Sequence, residues 1–156
     1  MHNHKLDETD FDILRLVQRN ALLSYKEIGF KIKRSANAIF ERVKRLREEG
    51  YIRSTVAMVD YSKLGPVFIA FPHINLTAHS EEAIISFQKT VTAYPEVMEC
   101  YNLTGHYDFM LKIMMPNMNA YNEFLKTKVA NLPNVGSIHS FLVLSEVKKE
   151  TAYHFL

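Results

Sequence analysis

Residues 24–50, SYKEIGFKIKRSANAIFERVKRLREEG, decide how this chain is read. Ser24-Tyr25-Lys26-Glu27 is a capping box, and Leu23 with Ile28 makes the hydrophobic staple around it, so a helix starts there. Ile28 and Ile32 give that helix its inward face. The chain then turns at Lys33-Arg34, and Ser35 caps a further helix whose Ile39, Val43 and Leu46 lie at i, i+4 and i+7 as a buried stripe. Gly50 supplies the left-handed position that ends it. Asn37, Ala38, Glu41, Arg42 and Arg45 are expected to point away from that stripe. From Lys26 to Arg47 there are eight Lys/Arg against only Glu27 and Glu41. A basic helix pair of this kind fits a helix-turn-helix whose second helix enters the major groove of double-stranded DNA. The blander reading of the same charges is a solvated helix face.

A helix precedes the pair. Asp7 is its N-cap with Asp10 three positions on, Leu6 and Phe11 form a staple, and Ile13, Leu14 and Val17 continue at helical spacing. After Gly50, Tyr51 to Met58 alternates like a strand, as a wing or a linker would. The expected boundaries are 1–56 for this DNA-binding domain, 57–65 for a linker and 66–156 for a second domain.

The totals agree with that division. A chain of 156 residues accommodates one domain or two small ones, and 47% apolar residues suffice for real cores. The net charge of +2 hides an asymmetry: +4 over residues 1–56 and −2 over the remainder. The basic half is where a polyanion would bind. Cys100 is the single cysteine, so no internal disulfide forms, which fits a reducing cytoplasm. No stretch approaches the roughly 18 apolar residues of a membrane span. The opening MHNHKLDETD lacks the basic-then-apolar order of a signal peptide.

The second half changes period. Val67 to Leu76 reads as a strand interrupted by Pro72. Ser80 caps a helix carrying Ile84, Phe87 and Val91, and Val97 to Leu103 is a strand. Thr104-Gly105-His106 makes a tight turn, and Tyr107 to Met115 alternates strictly. Asn117 caps a helix with Tyr121, Phe124, Leu125 and Val129. Pro133-Asn134 breaks it, and Val135 to Val147 is a last strand. The order βαββαβ is the ferredoxin-like split motif, so the expected fold class is α+β: an N-terminal winged helix-turn-helix plus a C-terminal ferredoxin-like domain. Helices cover one sheet face only, and a second copy of the domain is the simplest cover for the other.

These residues resemble the Lrp/AsnC family of transcriptional regulators over nearly the whole chain. LDETDFDIL at 6–14 resembles its opening helix. Ser35, Ile39, Arg42, Val43, Arg45, Leu46, Glu49, Gly50 and Ile52 resemble its recognition helix and wing. LTGHYDF at 103–109 resembles its effector-site turn, and LPNV at 132–135 with FLVLSEVKKET at 141–151 resembles its final strand. The resemblance implies a DNA-binding head and a C-terminal domain for oligomerisation and for an amino-acid or similar effector bound between dimers, which often assemble to an octamer. One departure stands out: the family usually has a glycine and then an apolar residue between its second and third helices, where this chain has Lys33 and Arg34. A lysine costs more than glycine wherever φ is positive.

The candidate DNA-binding residues are Lys33, Arg34, Ser35, Asn37, Ala38, Glu41, Arg42, Lys44 and Arg45. Arg42 meets DNA or pairs with an acid of the head; Glu41 accepts from a cytosine amine or only trims the charge. The candidate effector-binding residues are Asn102, Leu103, Thr104, Gly105, His106, Tyr107, Asp108 and Ser140. A turn through Gly105 allows close backbone approach, and its N–H groups suit a carboxylate. Asp108 meets an ammonium group or caps the hairpin, and Ser140 lies where the last strand should pass. Seven histidines invite a metal, but His2 and His4 fall in the opening tail and zinc wants three or four ligands in fixed geometry, so no metal or other cofactor is expected. No nucleophile–base signature, phosphate loop or carboxylate pair marks an enzyme. The alternative to a regulator is an architectural DNA-binding protein without a small-molecule effector.

Overall fold

The computed structural model describes residues 5–155, so His2 and His4 lie outside the described residues. Those residues divide into two compact units, residues 5–58 together with 147–155, and residues 59–146. The expected boundaries differ from this at the C-terminus. The last strand stops at Leu142 rather than Val147, and the segment beyond 146 belongs with the N-terminal helices.

The first unit holds α1 (Glu8–Val17), α2 (Tyr25–Ile32) and α3 (Ala36–Glu48). Each begins where its cap requires. Asp7 accepts from the Asp10 amide at 2.9 Å while Asp10 reaches back to the Asp7 amide at 3.2 Å. Ser24 and Glu27 do the same for α2, and Ser35 accepts from the Ala38 amide at 3.2 Å. Ile13, Ile28, Ile39, Val43 and Leu46 are buried together as the core. Residues 51–58 form no strand among the described residues; Ile52 instead folds back, its amide donating to Leu46 O at 3.1 Å and its side chain packing on the helical core.

The second unit contains β1 (Phe68–Leu76), α4 (Glu81–Val91), β2 (Val97–Asn102), β3 (Phe109–Met115), α5 (Met118–Phe124) and β4 (Val135–Leu142). The sheet order is β2-β3-β1-β4, antiparallel throughout, which is the expected ferredoxin-like arrangement. Ala70 and Ile74 of β1 and Phe109, Leu111 and Ile113 of β3 face the helices and pack on Phe87, Val91, Tyr121, Phe124 and Val129. A wide turn, Leu125–Val129, extends α5, closed by the Ala130 amide donating to Leu125 O at 2.8 Å; it brings Val129 into the core.

Pro72 does not interrupt β1. The strand runs through it, with Pro72 opposite Ser140 of β4, while the register with β3 skips from Ala70 to His73. A proline lacks the amide that a ladder needs on one side, and the gap falls where that donor is missing.

Candidate DNA interface and effector turn

The turn between α2 and α3 is built around a left-handed lysine. Lys33 sits at φ 57° and ψ 52°, and the Arg34 amide donates to Gly29 O at 2.9 Å. The return is so tight that a Cβ on Gly29 would lie 2.4 Å from the Arg34 carbonyl oxygen. Gly29 is therefore required by close approach, and its presence inside a helix was the available signal. Lys33, Arg34 and Ser35 are all exposed beside the start of α3.

Beyond the cap, the face of α3 divides differently from expectation. Asn37, Glu41 and Lys44, at i, i+4 and i+7, are exposed; Phe40 beside them is partly exposed, its ring edge-on to Tyr25 at 5.5 Å. Arg42 and Arg45 do not point outward. Both turn toward the N-terminus of α1, with Ala38 half-buried on the same side. Arg42 Nη1 donates to both oxygens of Asp7 at 2.7 and 2.8 Å and to Asp10 at 2.8 Å. Arg45 Nη2 donates to both oxygens of Asp10 at 2.7 Å. Asp10 is fully buried, whereas the two arginine side chains remain 28% and 27% exposed. The Arg42 guanidinium holds the Asp7 carboxyl below its ordinary range, helped by the Asp10 amide. The exposed candidates for a DNA contact are thus Lys33, Arg34, Ser35, Asn37, Glu41 and Lys44, and Arg42 and Arg45 fix the helix that carries them.

At the other candidate site, β2 and β3 are joined by residues 103–108. The Leu103 amide donates to Asp108 O at 2.8 Å and closes the turn, and Asn102 Nδ2 donates to the same oxygen at 3.3 Å. Gly105 has φ 115°, a conformation L side chains rarely adopt, with open space where a Cβ would stand. Thr104, Gly105 and His106 are exposed, and no hydrogen bond among the described residues engages their amides.

Asp108 is committed to the fold. Its carboxylate accepts from the Leu76 amide at 2.7 Å and lies 3.0 and 3.1 Å from His79 Nε2, while its own amide donates to Ile74 O at 3.0 Å. It therefore ties the hairpin to the end of β1 rather than capping the hairpin's own turn. Ser140 is not brought to this turn. Its Oγ lies 2.5 Å from the Tyr121 hydroxyl of α5, on the helix side of the sheet. The residue before it, His139, takes the expected place, with its ring 5.5 Å from that of Tyr107. Tyr107 also touches His73 and His106, at 5.0 and 4.7 Å between ring centroids. Partial burial against the core of the second unit raises the Cys100 thiol pKa. Among the described residues, no three His, Cys, Asp or Glu side chains gather into a metal site.

A helix-turn-helix unit joined to a ferredoxin-like unit with an open-backed turn defines a DNA-binding regulator. Residues 6–53 match the family model for winged helix-turn-helix DNA-binding domains, and residues 69–153 match that of the Lrp/AsnC ligand binding domain. The chain belongs to the Lrp/AsnC family: it is a transcriptional regulator of that type and not an enzyme. It is 38% identical over 144 residues to the transcriptional regulator AzlB of Bacillus subtilis, covering 92% of each chain. Among solved structures, the transcriptional regulator NMB0573 of Neisseria meningitidis in complex with L-Met superposes with a TM-score of 0.88 at 28% identity, covering 96% of this chain and 97% of that one. Escherichia coli AsnC gives 0.85 at 26% identity, over 95% and 98%. Among the described residues, no helix is long and apolar enough to cross a membrane.

Proposed function

We propose that this regulator binds specific DNA sequences as a two-fold dimer and that a free amino acid, bound at the 102–108 turn near a subunit boundary, changes its assembly or its DNA affinity in the cytoplasm. The observation that carries the effector half is the turn itself: three exposed amides around a positive-φ glycine suit a carboxylate. Asp108 already serves Leu76 and His79, so a ligand's ammonium group draws on it only as a shared partner. The L-Met complex of the Neisseria relative supports an amino acid as the ligand class.

The dimer half rests on surface left uncovered. Ile69, Phe71, Met110 and Met114 alternate with the buried residues of β1 and β3 and face away from the helices, alongside the half-exposed Phe141. Leu144, just beyond β4 in the same unit, is 99% exposed. A second copy covers such a face, and further association of dimers to an octamer follows the same logic.

A thermal-shift screen of the twenty amino acids tests the effector reading. A ligand at 100 times its Kd stabilises the native state by about 2.7 kcal/mol. Gly105→Val strains the turn and places a side chain where the carboxylate binds, so it should abolish the shift. A Gly105→Val chain that responds like the wild type puts the site elsewhere. No shift with any amino acid at millimolar concentration means that the domain only oligomerises or takes another metabolite; DNA binding that ignores both sequence and small molecules favours the architectural reading.

A further inference from the structure

We propose that residues 151–155 are a strap on α1 that sets the DNA affinity of the helix-turn-helix unit; this rests on the reading of that unit as DNA-binding. The Gln18 side chain pairs in both directions with the backbone of Tyr153. Gln18 Nε2 donates to Tyr153 O at 2.7 Å, and the Tyr153 amide donates to Gln18 Oε1 at 2.9 Å. The ring of Phe155 lies 5.8 Å from that of Phe11, with the Arg15 guanidinium 5.7 Å above it. Phe11, Arg15 and Gln18 stand at i, i+4 and i+7, so one stripe of α1 receives the segment. Glu150 turns the chain into this path, its carboxylate accepting from the Thr151 and Ala152 amides at 3.0 and 2.9 Å.

Asp7 and Asp10, at the start of the same helix, hold Arg42 and Arg45 of α3. What seats α1 therefore also seats the recognition helix. The strap follows β4, the last strand of the ligand-binding sheet, after residues 143–150, so the chain connects the two units at 58/59 and again at 146/147. Its hold is partial. Thr151 and Phe155 wall a cleft of about 400 Å³ above Leu14, Val17 and Ile28 rather than filling it. A contact of two hydrogen bonds and one ring is small enough for a ligand's preference between states to dislodge it.

The test uses the full chain. Phe155→Ala and Gln18→Ala should each change affinity for a bound duplex by about fivefold or more, the lower end of usual allosteric coupling. The dependence on salt should stay as in the wild type, because no phosphate contact is removed. Where L-methionine alters wild-type binding, the variants should lose that response. Tyr153→Trp introduces the only tryptophan, at an exposed side chain whose backbone does the binding; its emission should shift on adding duplex. Wild-type affinity in both alanine variants, or emission indifferent to saturating duplex, overturns the strap while DNA binding stands. A wild-type chain that binds no duplex overturns both.

Discussion

The carboxylate of Asp10, fully buried on α1, receives Arg45 Nη2 of α3 on both of its oxygens at 2.7 Å. Arg42 completes the pairing, and Arg45 Nε is buried with no partner among the described residues. Removing one member of a buried ion pair costs about 3–5 kcal/mol because the other charge stays behind. The two arginines retain some access to water here, so Asp10→Ala should cost near the low end, about 3 kcal/mol. Thermal denaturation of the helix-turn-helix unit in the full chain reads this directly. A loss below about 1 kcal/mol, the scale of a surface pair, would mean that the pairing does not hold α3.

Lys33 and Gly29 make an opposed pair. A non-glycine residue in the left-handed region is strained by roughly 1–2 kcal/mol. Lys33→Gly relieves that strain but loosens the unfolded chain by about 0.4–1 kcal/mol. The net is a gain of about 0.5–1 kcal/mol, or a few degrees in melting temperature for a unit of this size. Gly29→Ala should do the reverse and more severely, since its Cβ meets a backbone carbonyl at 2.4 Å. Melting curves of the two variants moving in the same direction would contradict this account of the turn.

Much of the fold was legible because its signals are local. The caps at Asp7, Ser24, Ser35, Ser80 and Asn117 all form, each settled within four residues by side-chain chemistry. The alternation of Phe109, Leu111 and Ile113 fixed which face of β3 is buried. What was not legible depends on distant partners. Arg42 and Arg45 sit on the flank of α3 next to its buried stripe, and whether they reach DNA or α1 depends on acids 32 to 35 positions earlier. Ser140 faces Tyr121 because β4 pairs with β1 in a register that shifts between Asn75 and Leu76, which no short window reveals. The docking of Tyr153 on Gln18 spans 135 positions and carries no periodic signal.

Acid should weaken the α1–α3 contact in a defined way. Asp7 titrates below its ordinary 3.8 in the folded chain, chiefly through Arg42. A carboxyl depressed on folding adds stability that is fully present above its unfolded value and is lost as pH falls through the folded one. Nothing should therefore change at this group between neutrality and about pH 5. Loss begins as pH drops toward 3.8 and is complete below the folded value. Asp7→Asn should flatten this acid limb while lowering stability at neutral pH. Denaturant melts across pH 2.5–7 (a range set about the carboxylate pKa values) check it, and an acid limb as steep in Asp7→Asn as in the wild type would exclude Asp7 as its source.

On the proposed function, the exposed α3 stripe of Asn37, Glu41 and Lys44 reads DNA under the control of an amino acid. The most direct measurement is selection of binding sites from a random duplex pool by the full chain, with and without a mixture of the twenty amino acids. The account predicts an approximately palindromic consensus, half-sites separated by about one helical turn or a multiple of it, and an affinity that the mixture shifts by about 5- to 150-fold. A pool that retains DNA without any consensus, and equally well whether or not amino acids are present, would contradict it.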